Sequence, residues 1–105
     1  MNWFAIRTIY HFGTQPDGTN IFEERIVVFK AKSWSDAYHK AKIESETYAR
    51  GNDFTIHPEQ VGYEQDGEPL IDGYEVWSEL FQADASLEEF YSKRYSQYKY
   101  EPESI

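Results

Sequence analysis

Residues 21–51, IFEERIVVFKAKSWSDAYHKAKIESETYARG, decide how the chain folds. The stretch opens on a period of two and closes on a period between three and four. From Ile21 to Ala31, Phe22, Ile26 and Val28 share one face while Ile21, Val27, Phe29 and Ala31 share the other. Ile26-Val27-Val28-Phe29 is apolar on both faces, the composition of an interior strand. The period changes after Lys32. Ser33 is a strong helix N-cap, and Asp36 three residues on approximates a capping box and complements the helix dipole. Trp34, Ala37, Tyr38, Ala41, Ser45 and Tyr48 then recur at helical spacing, a stripe whose two alanines let a helix lie close to a sheet. Asp36 with Lys40, and Glu46 with Arg50, are i,i+4 pairs in the favourable order. The helix is predicted to end near Arg50, with Gly51 as the residue just beyond.

Upstream, Asn2–Phe12 reads as a strand, with Phe4, Ile6, Thr8, Tyr10 and Phe12 on one face and Trp3, Ala5, Arg7, Ile9 and His11 on the other. Neither face is polar throughout, which predicts cover on both sides or one face awaiting a partner. Pro16 and Gly18 carry turn chemistry, so strands one and two are expected to form an antiparallel hairpin. Downstream, a third strand is placed within Phe54–Glu64, split by Pro58, with Gln60–Glu64 as its safer part. Gln65–Pro69 reads as a turn around Asp66-Gly67, and a fourth strand is placed at Gly73–Ala83. Ser86 with Glu89 makes a capping box for a last helix, along which Leu87, Phe90, Tyr91, Arg94, Tyr95 and Tyr98 recur, and residues 100–105 read as a fraying tail. The expectation is one α+β domain over 1–105: a four-stranded antiparallel sheet in β-β-α-β-β-α order, the central helix packed on one face.

Length and composition narrow the function. A chain of 105 residues buries one modest core, and nine Tyr, seven Phe and three Trp let it build that core from few side chains. The absence of cysteine removes disulfides, thiolate metal sites and thiol nucleophiles. No apolar run is long enough to span a bilayer, and the N-terminus lacks the pattern of a signal peptide, so a soluble cytoplasmic protein is expected.

Charge is divided unevenly. Residues 1–51 carry seven Lys/Arg against six Asp/Glu, a net of +1; residues 52–105 carry three against thirteen, a net of −10. From Gly51 to Ser92 there are eleven acids and no Lys or Arg. A block of one sign repels nucleic acid and anionic membrane and attracts cationic partners.

Four stretches carry a resemblance: Trp3-Phe4-Ala5-Ile6-Arg7; Glu23-Glu24-Arg25-Ile26-Val27-Val28; Ala31 and Ser33 before a helix holding Ala37, Lys40-Ala41 and Tyr48-Ala49; and Gly73-Tyr74-Glu75-Val76-Trp77-Ser78. Across residues 2–82 the pattern resembles the small bacterial proteins grouped as domain of unknown function 4288. That resemblance implies a single-domain, soluble, bacterial protein and transfers no catalytic or binding residue.

Catalytic constellations are not visible in the residues themselves. His11, His39 and His57 lack metal-ligand spacing, and half-buried or surface positions are expected for them. Glu23 and Glu24 are neighbours on a strand and so point to opposite faces, and Arg25 is read as half of an ion pair. There is no glycine-rich phosphate loop or nucleophile elbow, and no cofactor is expected. The reading is therefore a non-catalytic protein-binding module, of immunity or inhibitor type, docking on a basic protein. Its candidate contact residues are Glu64, Asp66, Glu68, Asp72, Glu75, Trp77 and Glu79. Strand four places Trp77 and Phe81 on one face with Glu75 and Glu79, an odd mixture for a core face and the local hint of an interface. Two alternatives stand beside it: a small-molecule sensor or enzyme with an aromatic-lined pocket between sheet and helix, and a homodimer through a strand edge or the two-sided first strand.

Overall fold

A computed structural model describes residues 1–65 and 72–100. It is an α+β fold. Strand β1 (Asn2–Thr14) and strand β2 (Asn20–Ala31) form a long antiparallel hairpin, in which Phe4 faces Phe29, Ile6 faces Val27 and Tyr10 faces Glu23. The register shifts between His11 and Gly13. The turn is closed locally: Gly18 adopts φ 89°, Gly18 N–H donates to the Gln15 carbonyl at 2.9 Å, and the Asp17 carboxylate accepts from both Thr19 N–H and its hydroxyl.

Helix α1 (Trp34–Asn52) starts as the sequence predicts, with the Ser33 hydroxyl accepting from Asp36 N–H at 3.1 Å, while Asp36 accepts from Lys32 N–H. Its end differs. Gly51 lies inside the helix, and Asp53 takes the left-handed position at φ 59°, its N–H returning to the Ala49 carbonyl. Aspartate tolerates that conformation better than most residues, and the Asn52 side chain adds a bond to the Tyr48 carbonyl. Ala37, Ala41, Ser45 and Ala49 are buried along one side of α1, and Ala37 and Ala41 join Phe4, Ile6 and Ala31 in one cluster. Trp34 meets Phe4 edge-on at 4.8 Å, and Tyr48 meets Tyr10 at 5.1 Å.

Strands β3 (Thr55–Ile56) and β4 (Val61–Glu64) follow, and both pair antiparallel with β1. β3 lies against Tyr10 and His11, and β4 against Phe4 to Arg7, so the two run along one side of β1. Pro58 falls in the gap between them, where it breaks the ladder as a residue without an N–H must. The sheet order is β2-β1-β3, with β4 also on β1. β1 is thus the centre and β2 an edge, where the apolar run at residues 26–29 had predicted an interior strand.

The fourth strand expected at Gly73–Ala83 does not form. The segment crosses a face of the sheet as an irregular arm instead, held there by side-chain contacts rather than by ladder pairing. Trp77 and Glu79 turn toward that face, Trp77 lying 6.1 Å from the Tyr63 ring and Glu79 meeting Arg7. The odd grouping of aromatics with acids resolves here: one of those acids is the counter-ion of a half-buried arginine. The arm continues into helix α2 (Leu87–Tyr91), whose predicted N-cap Ser86 accepts from Glu89 N–H and donates its hydroxyl to the Glu89 carboxylate, and then a π-helical stretch, Ser92–Ser96.

Candidate functional site

β1 and β2 present two faces. On the α1 face, Arg25 makes two bonds to Glu44 at 2.8 and 2.6 Å, approaches the Tyr10 hydroxyl at 3.4 Å and lies 3.7 Å above the Tyr48 ring. The Glu44 hydrogen bond, ahead of the opposing effect of burial, holds the guanidinium proton even more firmly than usual. The Tyr48 hydroxyl donates to Glu23 at 2.8 Å. Gln60 Nε2 reaches the hydroxyls of buried Thr8 and Ser45. Arg25 is thus consumed as a structural ion pair, and Glu23 and Glu24 point to opposite faces as strand geometry requires.

The other face carries the arm. Arg7 Nη1 donates to Glu79 Oε2 at 2.6 Å, and its guanidinium sits 5.7 Å from the Trp77 ring centre. Arg94 lies 3.6 Å from Glu24 and 5.0 Å from the Phe81 ring centre. Between these pairs runs a groove of about 300 Å³ lined by Arg7, Ile26, Trp77, Phe81, Arg94 and Tyr95 among others. The Nε atoms of Arg7 and Arg94 are buried and have no hydrogen-bond partner among the described residues. This aromatic-lined groove lies on the sheet face opposite α1. Its arginines were legible only as strand and helix residues, because the groove that both line joins positions 87 residues apart in sequence.

The candidate contact residues scatter. Glu64, Asp72 and Glu75 are exposed, Glu64 accepting from the Asn2 amide at 3.0 Å. Trp77 and Glu79 are half-buried against the sheet. Asp66 and Glu68, like the predicted turn around them and residues 101–105 of the tail, lie outside the described residues. The histidines stay apart: His11 Nε2 is 2.8 Å from the Asn20 amide oxygen, and His57 Nδ1 accepts from Glu59 N–H. Among the described residues no cluster of His, Asp and Glu is arranged to hold a metal ion, and no helix is long and apolar enough to cross a membrane.

One surface was missed by sequence reading. β2 is an edge strand whose outer-face residues Phe22, Ile26 and Val28 are 66, 47 and 44 % exposed. The apolar run at 26–29 was taken as burial on both sides; the clue to the contrary was Glu24 and Lys30 flanking it on that same face.

No protein-family model, no curated protein and no solved structure matches the chain.

Proposed function

We propose that the protein is a non-catalytic binding module that docks on a basic protein partner through the acidic half of the chain. The supporting observation is charge segregation that survives folding. Asp53, Glu59, Glu64, Asp72, Glu75 and Asp84 are all exposed, and residues 52–92 contain no Lys or Arg to neutralise them. Glu79 is withdrawn from this surface by Arg7, so among the described residues Glu64, Asp72 and Glu75 are the acids singled out that stay free for the contact role, alongside the candidates Asp66 and Glu68. Exposed acids steer a cationic protein during its approach and repel nucleic acid. An immunity or inhibitor role is the use that such a face serves.

The test is association with the cationic partner captured at low salt. Reversing Glu64, Asp72 and Glu75 to lysine together slows association by about tenfold or more at low ionic strength, with little change at high salt. An unchanged association rate in the triple variant removes the acidic face from the interface.

A second reading has its own observation. The groove is lined by two guanidinium groups, those of Arg7 and Arg94, next to Trp77, Phe81 and Tyr95. That combination suits a small aromatic carboxylate, held by charge-assisted bonds and ring contact. Benzoate titrated against wild type and Arg7→Met, followed by tryptophan fluorescence, separates the readings. A saturable change lost in the variant supports the groove, and an identical linear response in both excludes it.

A further inference from the structure

The open edge of β2 is written as its own complement. Backbone direction along the hairpin follows from two bonds on the far side of β1. The Ile9 carbonyl accepts from His57 N–H at 2.9 Å, and the Trp3 carbonyl from Gln65 N–H at 3.0 Å. Odd-numbered residues of β1 therefore point their polar groups away from β2, and even-numbered ones point toward it. Opposite those even residues stand Arg25, Val27 and Phe29. The alternate residues of β2, Phe22, Glu24, Ile26, Val28 and Lys30, are left with N–H and C=O directed off the sheet. Lys40 confirms the direction by donating its ammonium to the Lys30 carbonyl at 2.6 Å.

These same residues are exposed in their side chains, so whatever strand pairs with the edge also meets an alternating row of Phe, Glu, Ile, Val and Lys. Two copies related by a two-fold axis pair even residues with even residues in three central registers. An axis at Ile26 sets Glu24 against Val28 and Phe22 against Lys30. An axis at Val28 sets Ile26 against Lys30 and runs Glu24 past the strand's end at Ala31. An axis at Val27 sets Glu24 against Lys30 and Ile26 against Val28, and does so twice by symmetry. Opposite charges and β-branched pairs directly across strands are the favourable combinations.

We propose that the occupant of the β2 edge is a second copy of this chain, paired antiparallel about Val27 into one continuous sheet. Charge permits the approach there. The half of the chain that builds β1, β2 and α1 has a net of +1, β4 with Glu64 lies on the far side of β1 from the edge, and the arm that reaches the face beside Glu24 does so through the cation Arg94. Two local contacts must yield. Lys40 has to release the Lys30 carbonyl, which then accepts from Glu24 N–H of the second copy. Glu24 shares its carboxylate between Arg94, loosely held at 3.6 Å, and the new lysine. Lysines placed at a sheet edge restrain pairing, so the dimer is weak, with a Kd on the order of 10–100 μM.

Sedimentation equilibrium of the full chain tests this independently of any basic partner. Wild type dimerises reversibly below about 1 mM, and Lys40→Ala dimerises more tightly by freeing the edge carbonyl. Glu24→Lys and Lys30→Glu each weaken self-association by about tenfold, and mixing the two variants restores it, since both cross-strand pairs are then opposite in sign. The chain has no cysteine, so Glu24→Cys mixed with Lys30→Cys reports register directly by forming a mixed disulfide. Monomer at about 1 mM for both wild type and Lys40→Ala overturns the proposal. A Glu24→Cys self-disulfide forming faster than the mixed one overturns the register.

Discussion

The two faces of β1 are covered by opposite strategies. On one, Phe4, Ile6, Thr8 and Tyr10 are buried under α1, a capped helix of nineteen residues that presents Ala37, Ala41, Ser45 and Ala49. Small side chains at four-residue intervals bring the helix axis close, and the aromatic rings pack at its two ends. On the other face, Arg7 is covered by an irregular arm without ladder or long helix, held at Trp77, Glu79 and Arg94. Periodic cover spreads its energy over many contacts. Pointwise cover concentrates it in a few, so it can open without unfolding the rest.

That contrast is most exposed to failure in paired truncations. Phe4→Ala removes a ring that is 2 % exposed and touches Trp34, and should cost about 3–5 kcal/mol in urea unfolding. Trp77→Ala removes the larger side chain from the arm, yet should cost only about 1–2 kcal/mol, because the arm can detach while the sheet and α1 stay folded. Equal losses would mean that the arm belongs to the same cooperative core.

Gly62 sharpens the helix side. A Cβ there would collide with Trp34 Cζ3 and come 2.9 Å from the Tyr38 hydroxyl and 3.0 Å from Ile6 Cδ1. Trp34 is stacked on Tyr38 and set edge-on to Phe4, so it has little room to swing away. Gly62→Ala should cost about 1–3 kcal/mol by overpacking, measured as a lowered unfolding midpoint. Gly13→Ala, with open space around the added methyl, is the control expected to cost less.

The arm side is sharpened by Glu79→Gln. Arg7 then remains half-buried with its strongest partner weakened, at a cost of about 1 kcal/mol after allowance for the solvent that reaches both groups. Amide exchange should accelerate along residues 73–83 and stay unchanged in β1 and α1. Uniform acceleration would show that the ion pair stabilises the whole fold instead of fastening one segment.

Legibility in the sequence followed the same division. The hairpin, the α1 N-cap and the break at Pro58 are local features, each fixed by alternation, a capping hydroxyl or a missing N–H within a few residues. The supposed strand at Gly73–Ala83 shows the limit. Tyr74, Val76, Ser78 and Leu80 alternate with Glu75, Trp77, Glu79 and Phe81 as a strand would, but alternation does not decide whether a segment joins a sheet edge or lies across a sheet face. Arg7 accepted Glu79 from 72 residues away, a choice made by topology. The same ignorance of topology made β2 look interior, since a two-sided apolar run cannot distinguish cover by the chain itself from cover by another molecule. Of the candidate contact residues, the exposed Glu64, Asp72 and Glu75 were separable from Glu79 only once Arg7 was placed.

Ionisation gives the smallest and most local probe of the helix-covered face. Tyr48 on α1 donates its hydroxyl proton to Glu23 on β2 at 2.8 Å. Losing that proton would forfeit the bond and set two anions together, so the hydrogen bond first, then burial, then the Glu23 charge raise the Tyr48 pKa above its ordinary value; Arg25 beside the ring opposes them. As pH rises past about 10, the unfolded chain releases this proton before the folded one does. The Tyr48 contribution to stability is therefore complete below about pH 10 and is lost as pH climbs through the folded-state value. Tyr48→Phe should show a shallower loss of stability between about pH 9 and 11 than wild type, because it lacks the group whose proton the fold holds. Glu23→Gln should bring the Tyr48 titration, followed by carbon-13 NMR of its ring, back down. If that titration does not move, the strand-to-helix hydrogen bond is not what holds the proton, and Arg25 with Glu44 is left as a direct polar tie between β2 and α1.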